Sequence, residues 1–542
     1  MQILRIGGTS TEQRSAEAIG AKAANLAHMA ALGLPVPPAF VLPVKLCADI
    51  NDNKAHAEHQ LQHGLKDGIE FLEGATGRRF GDRRNPLLVS VRSGAARSMP
   101  GMLDTVLNVG CTSSAVRGLI RATGRPRLAW DCRRRFLASF TETVLGLDPV
   151  PFAARLAELV ASEGVASDRE LDSEAIERLA DAELTLIEGH DNEWLENETA
   201  QLEAAARAVY RSWMSERAQT YRKLQDLDHL RGTAVTVQAM VFGNGGLASG
   251  AGVAFSRDPS TGAARPMIDL VLDAQGEDVV SGRRTPDTED TIARALPTIT
   301  AELGGMLKRL EAEFGDVQDV EFTVEDGKLW ILQTRPAKRT PRAALRFAID
   351  LVHEGLITRD RALERIADLD LDALVAVSLV GMGTAVISGI GASGGIAAGR
   401  AAFDSGTAER LAAAGDPVIL LRPDTSTADL AGFAVAAGIV TAVGARTAHA
   451  ALVARQMGKP CIVGCGEMTI DVQTGGAQLA GSAIATGDWI TIDGDGGSIY
   501  LGKLETVATR PEPELAEIAG WRAEAGDHSR RRAAARPEPA RR

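Results

Sequence analysis

From Ile19 to Phe40 the chain reads IGAKAANLAHMAALGLPVPPAF, an Ala-rich run with helical spacing that stops at Gly33. Pro35, Pro37 and Pro38 then force an extended exit. A short β-prone run, Leu87 to Val91, leads into the small-residue segment from Arg92 to Met102, predicted as a loop. Between about Ser113 and Leu230 glycines are few and Ala, Glu, Leu and Arg abound, which predicts a helical insertion. Thr233 to Phe242 alternates as a strand, and a second β-prone run, Val253 to Ser256, follows the glycine-rich Gly243 to Gly252. The two runs predict a glycine-rich hairpin. Because a strand follows where a helix should begin, the apparent GxGxxA there is not a dinucleotide fingerprint.

Period-two alternation on both sides of a charged turn, Glu325 to Lys328, makes a second hairpin. Asp319, Glu321, Gln333 and Arg335 can project from one of its faces. Lys338 to Ser378 is charged and helical in pattern, a linker between rigid bodies. A glycine-dense unit begins near Gly381 and runs through Val418–Arg422 to Ile490–Leu501 in the order of a compact α/β domain. After about Glu505 the chain turns rich in Pro, Ala and Arg, and this tail is expected to be mobile. The resulting expectation is an α/β and α+β multidomain chain: 1–340, with the helical insertion at about 113–230, then a linker at 341–378, an α/β unit at 379–505 and the tail at 506–542.

The last unit centres on TAVGARTAHAALVARQMGKPCIVGC, Thr441 to Cys465. Thr447 is the expected N-cap, His449 falls in the first turn, and Gly458, Lys459 and Pro460 form the stop. Leu452, Val453, Gln456 and Met457 share one face and are expected to pack the helix on its domain. Backbone N–H groups and the helix dipole favour an anion at this start, so a phosphoryl group on the ring would be well held. The plainer alternative is a capping or surface histidine.

At 542 residues the chain exceeds one core, and several compact units are expected. A formal charge of -12 leaves no basic surplus for counterion release, so nucleic acid is not the expected partner. The uncharged stretch Leu430 to Ala445 is too short to cross a bilayer and reads as buried strand and turn. No membrane association is expected. The N-terminus lacks an apolar signal core, and five scattered cysteines suit a reducing cytosol, so a cytoplasmic location is expected.

Candidate chemistry lies elsewhere too. Lys22 opens the first helix, where a cation is either solvated or faces a bound anion. The loop from Arg92 to Met102 carries two arginines among small residues and suits phosphate. Arg133, Arg134 and Arg135 form a cluster that is ordinarily a solvated face. Hard oxygen donors on the hairpin of Asp319 and Glu321 suit Mg²⁺, which keeps its waters and bridges ATP phosphates.

The segment from Arg422 to Cys465, with its Thr-x-His-Ala-Ala-x-Val-Ala-Arg pattern, resembles the swivelling phosphohistidine domain of the pyruvate phosphate dikinase family. The Lys22 helix, VSVRSGAARSMPGMLDT, the FGN to RDPSTG segment and DAQGEDVV resemble the family's ATP-grasp nucleotide-binding domain, and favour the dikinase over phosphoenolpyruvate synthase. Departures are Ala448 for Ser, Gly444-Ala445-Arg446 for Gly-Gly-Met, Ala251 for Thr and Asp269 for Glu. The resemblance covers about residues 1 to 505. It implies that His449 is phosphorylated, that Lys22, Arg92, Gly101, Arg135, Glu277, Asp278, Asp319, Glu321, Gln333 and Arg335 bind ATP, and that Glu321 and Gln333 hold Mg²⁺. The family reaction gives AMP and pyrophosphate with inorganic phosphate as acceptor of the γ group, and a (β/α)₈ barrel then forms phosphoenolpyruvate from pyruvate. A barrel needs roughly 250 residues. Only 40 follow Gly502, so a separate barrel subunit is the expected partner. Two alternatives stand beside this: a non-catalytic nucleotide-binding regulator or carrier, and a phosphotransferase acting on another small molecule. The presence together of Lys22, Arg92, Glu321, Gln333 and His449 argues against the first, since a decayed site would not keep charges that cost stability.

Overall fold

Seven successive residues, Thr233–Ala239, are buried on both faces, so this strand is central rather than half-exposed as its alternation suggested. It pairs with Ala39–Leu42 on one side and Val89–Ala95 on the other, within an antiparallel sheet completed by Leu4–Ile6 and Thr105–Val109. The computed structural model describes residues 3–8, 12–97, 99, 102–187, 193–280, 285–287, 289–381, 383–424, 429–446, 448–471 and 475–534, with the backbone alone at Glu277 and His449 among others. The chain divides into two units, Met1–Gly250 with Thr323–Thr334, and Ala251–Phe322 with Arg335–Arg542.

In the first unit the helix Ala21–Ala31 ends before Gly33, whose positive φ of 74° turns the chain into the proline exit. The insertion is helical as expected, with Ser113–Thr123, Pro126–Thr143, Val150–Glu163, Ser173–Leu186, Glu198–Arg211 and Glu216–Leu224. Thr112, Asp172, Asn197 and Ser215 each accept a hydrogen bond as N-caps, which fixes where four of these helices start. Phe136, Phe140, Trp194 and Tyr210 pack beneath the sheet in one core. The expected loop after Val91 is instead strand through Ala95, because Arg92 to Ala95 pair with Thr236 to Thr233. The glycine-rich segment is no hairpin either. Thr233–Ala239 and Gly250–Phe255 lie in different sheets, so it is a connection between them.

In the second unit an eight-stranded sheet runs Ile387–Ser388, Ser498–Leu501, Trp489–Asp493, Ile396–Ala402, Val418–Arg422, Gly438–Thr441, Cys461–Val463, Ile390–Ser393. Its four central strands are parallel, and the helices Ser405–Ala413, Leu430–Val435 and His449–Met457 are the crossovers between them. The stretch Leu430 to Ala445 is therefore a short helix followed by a strand, not strand and turn alone. Another sheet contains Gly250–Phe255, Met267–Leu272 and the hairpin Gln318–Glu325 with Lys328–Pro336, of which Thr323–Thr334 is counted with the first unit. The hairpin turns at Asp326 and Gly327, both with positive φ, as the charged turn predicts.

The expected linker and tail are corrected together. Pro341–His353 and Arg359–Arg365 are helices, but Ala376–Leu379 pairs antiparallel with Thr506–Thr509. The helix Glu512–Ala534 follows, and its Ile518 and Trp521 are buried with Leu345, Ala348, Ile349 and Ile366. Burying a side chain such as Ile518 contributes roughly 1.5–3 kcal/mol toward docking this helix. Strand and helix thus stand over 506–534, where a mobile tail was expected; residues 535–542 lie outside the described residues. No helix among the described residues is long and apolar enough to cross a membrane.

Candidate nucleotide and phosphohistidine site

Gly20 brings the first helix onto the sheet. Its φ is 80°, and a Cβ there would stand 2.1 Å from the carbonyl oxygen of Gly94, so only glycine permits this approach of two backbones. Lys22 is consequently placed in the first turn of Ala21–Ala31, next to the strand that carries Arg92. The Asn25 amide donates to the Thr334 carbonyl at 2.9 Å, which ties the same helix to the residue after Gln333. Gln333 is buried. Gly101 lies outside the described residues.

Arg133, Arg134 and Arg135 are buried, contrary to the solvated face expected of such a cluster. Each finds acidic or carbonyl partners. Arg133 pairs with Glu196 at 3.1 Å and donates to the Cys111 carbonyl; Arg134 bridges Asp131 at 2.8 Å and Asp168 at 2.9 Å; Arg135 meets Asp131 at 2.9 Å. Burial opposes ionisation of Asp131, yet Arg135, Arg134 and Arg127 outweigh it and hold the carboxyl well below the usual range. The glycine-rich segment is stitched to the hairpin tip: Gly327 N–H donates to Ala248 at 2.7 Å, and Arg125 pairs with Asp326 at 2.7 Å.

Glu183 shows the opposite shift. Burial pushes it from 4.5 up to about 8, with Arg134 pulling it back and Asp131 adding to the rise, and its Oε2 has no hydrogen-bond partner. The folded chain keeps a proton that the unfolded chain releases, so this group costs stability increasingly as pH rises from 4.5 to about 8. Glu183→Gln is therefore expected to raise Tm at pH 8 by roughly 5 °C and to flatten the slope below it. Thermal scans across this range check it; a lowered Tm would mean an ionised Glu183 paired with Arg134.

In the second unit Asp319 and Glu321 alternate on Gln318–Glu325 and face Arg335, at 2.8 and 3.9 Å. Three of the four hairpin residues predicted to share a face thus do meet. Burial raises the Asp319 carboxyl despite Arg335, and burial works against Arg335 although Asp319 and Glu321 raise it on balance. Asp319 Oδ1 is buried with no hydrogen-bond partner, an oxygen donor suited to a hard cation beside Glu321. No group of three His, Cys, Asp or Glu able to hold a metal occurs among the described residues. Mg²⁺ needs only one or two carboxylates when phosphates and water complete its shell, so the donor set fits. Glu277 and Asp278 lie on the short helix Gly276–Val280, where Asp278 accepts from the Gln275 N–H at 3.2 Å.

His449 is the first residue of the helix His449–Met457, which follows the parallel strand Gly438–Thr441. Its start thus lies at the carboxyl edge of the parallel strands, where open α/β sheets bind ligands. The cap is Ala448, one residue later than expected, and it offers no side-chain bond; Thr447 lies outside the described residues. The packing face is corrected in part. Val453 packs against the domain and Leu452 is half-buried, but Ala450, Ala451, Ala454 and Arg455 are the buried residues and Gln456 and Met457 are exposed, because a close-packed crossover admits small residues. Gly458 ends the helix at φ 64°, and Lys459 Nζ donates to the carbonyls of Phe433, Ala434 and Ala436. Arg446 binds Asp269 twice, through its N–H at 3.1 Å and its guanidinium at 2.5 Å.

Sequence reasoning passed over Arg455, which is fully buried, lies 5.1 Å from the Phe255 ring and donates to the Ala451 and Arg446 carbonyls. Burial lowers it to about 10, against the pull of Asp319, Cys461 and Asp269. Its signal was an arginine inside an otherwise Ala-rich buried helix. It also passed over Asp131, for which an acid three and four residues before two arginines was the available sign.

The AMP/ATP-binding domain of pyruvate phosphate dikinase matches residues 53–303 and 297–354, and the mobile domain of phosphoenolpyruvate-utilising enzymes matches 414–497. The chain belongs to the pyruvate phosphate dikinase family. The dikinase of Clostridium symbiosum is 40% identical over 509 residues, 93% of this chain and 58% of the relative. That of Rhizobium meliloti (strain 1021) is 39% identical over 540 residues, 96% and 59%; the chloroplastic dikinase 1 of Arabidopsis thaliana is 39% identical over 508 residues, 93% and 53%. The chain thus spans little more than half the length of these dikinases. The dikinase-family assignment accounts for an ATP-grasp nucleotide-binding segment followed by a phosphohistidine swivel segment in one multidomain chain.

Proposed function

We propose that this chain is a dikinase-type phosphotransferase that phosphorylates His449 from ATP. The carrying observation is the place of His449: first in a helix, at the carboxyl edge of a parallel sheet, where N–H groups and the dipole favour an anion. ATP is bound through Lys22, Arg92, Gly101, Arg135, Glu277, Asp278, Asp319, Glu321, Gln333 and Arg335. An imidazole nitrogen of His449 attacks the β-phosphorus; the bond to AMP breaks, and the pyrophosphoryl group passes to the ring. Inorganic phosphate then takes the γ group as pyrophosphate, leaving phosphohistidine. Mg²⁺, held by Glu321 and Gln333, supplies neutralisation of phosphate charge. Arg335 orients the carboxylates of Asp319 and Glu321.

Onward transfer goes to pyruvate or another acceptor bound on a separate barrel-type partner. Membership of the dikinase family supports an acceptor site of this kind. A cytoplasmic setting fits five buried cysteines that form no disulfide. The test is product analysis after incubation with Mg-ATP, with and without phosphate. AMP is expected in step with phosphohistidine, and pyrophosphate only when phosphate is supplied. ADP as the nucleotide product would refute the reading.

A further inference from the structure

We infer that Asp131 is a positioning residue that sets the glycine-rich segment over the nucleotide phosphates, an inference that rests on the ATP reading above. One carboxylate holds two parts of the first unit. Its Oδ2 accepts from Arg135 Nε at 2.9 Å and from Asn244 Nδ2 at 2.8 Å, while Oδ1 receives Arg134 at 2.8 Å. Asn244 belongs to the connection Gly243 to Gly252, so this bond joins that connection to the helix Pro126–Thr143.

Fold stability alone is a poor reason for this arrangement. A buried carboxylate with its cations is commonly no more stable than apolar residues of the same volume. Asn244 adds to the cost, since its Oδ1 is buried with no hydrogen-bond partner. What the arrangement provides is orientation: one oxygen fixes the distance between the proposed phosphate arginine and the glycine-rich segment. Beyond Asn244 the same segment is anchored again, where Ser249 Oγ accepts from the Asp326 N–H at 3.0 Å. Between these two anchors lies Gly245, where the lack of a side chain lets the backbone approach an anion closely.

Equilibrium titration of the full chain with ATP and, separately, with AMP tests this. Asn244→Ala removes the link and leaves the ion pairs of Asp131 intact, so the fold should persist. It is expected to weaken ATP about tenfold and leave AMP unchanged, because the inference sets the segment over the β and γ phosphates, which AMP lacks. Asp131→Asn should weaken ATP similarly, and the double variant should be little worse than either single one. A merely structural role would weaken both nucleotides alike. Equal loss for ATP and AMP, or wild-type ATP affinity in Asn244→Ala, would overturn the inference. The readout is binding, so it stands apart from whether His449 becomes phosphorylated.

Discussion

Replacing His449 by alanine is expected to abolish acid-labile phosphorylation by Mg-ATP and to leave ATP affinity essentially unchanged. No other histidine lies between Val380 and Thr506, so the swivel segment has no substitute carrier. The helix itself should survive, because Ala450, Ala451, Ala454 and Arg455 supply its buried face and alanine is a good helix former. Lys22, Arg92 and Arg135 lie far away in sequence, on other elements. Radiolabelling with acid and base treatment, beside calorimetric titration with ATP, checks both halves. Equal acid-labile labelling of variant and parent would remove His449 from the reaction.

Glu321→Ala carries the second large effect. Its loss should slow phosphohistidine formation roughly 10²–10³-fold, since the charge building on the phosphates would lose a metal ligand worth several kcal/mol. Gln333→Ala should act in the same direction. Rapid-quench rates measured against Mg²⁺ concentration should show a rightward shift in both variants. Arg335 would remain paired with Asp319, so gross unfolding is not the expected cause. Normal rates and an unchanged Mg²⁺ dependence in both would place the metal elsewhere.

What was legible in the sequence followed from local physics. The stop at Gly33, the hairpin about Asp326 and Gly327, and the helix ended by Gly458 all depend on backbone preferences that a few residues set. The alternation of Asp319 and Glu321 likewise gave their common approach to Arg335. The errors have a different origin. Arg133, Arg134 and Arg135 looked solvated because their partners Glu196, Asp168 and the Cys111 carbonyl are remote in sequence. The helix after Glu512 looked disordered because its composition is poor, yet two side chains, Ile518 and Trp521, found a core built by residues more than 140 positions earlier. The face of the histidine helix was misassigned for a related reason: a hydrophobic stripe assumes bulky residues face inward, whereas a close crossover buries alanines.

The central claim is that ATP phosphorylates His449, and peptide mass analysis measures it most directly. Trypsin cleaves after Arg446 and Arg455, which isolates TAHAALVAR, residues 447–455, with His449 and Thr447 as its only plausible phosphoryl acceptors. After brief incubation with Mg-ATP and phosphate, handled at alkaline pH, this peptide should gain one phosphoryl group that fragmentation assigns to His449 and that acid removes. An unmodified peptide from protein that has nonetheless consumed ATP, or an acid-stable group on Thr447 alone, would contradict the account.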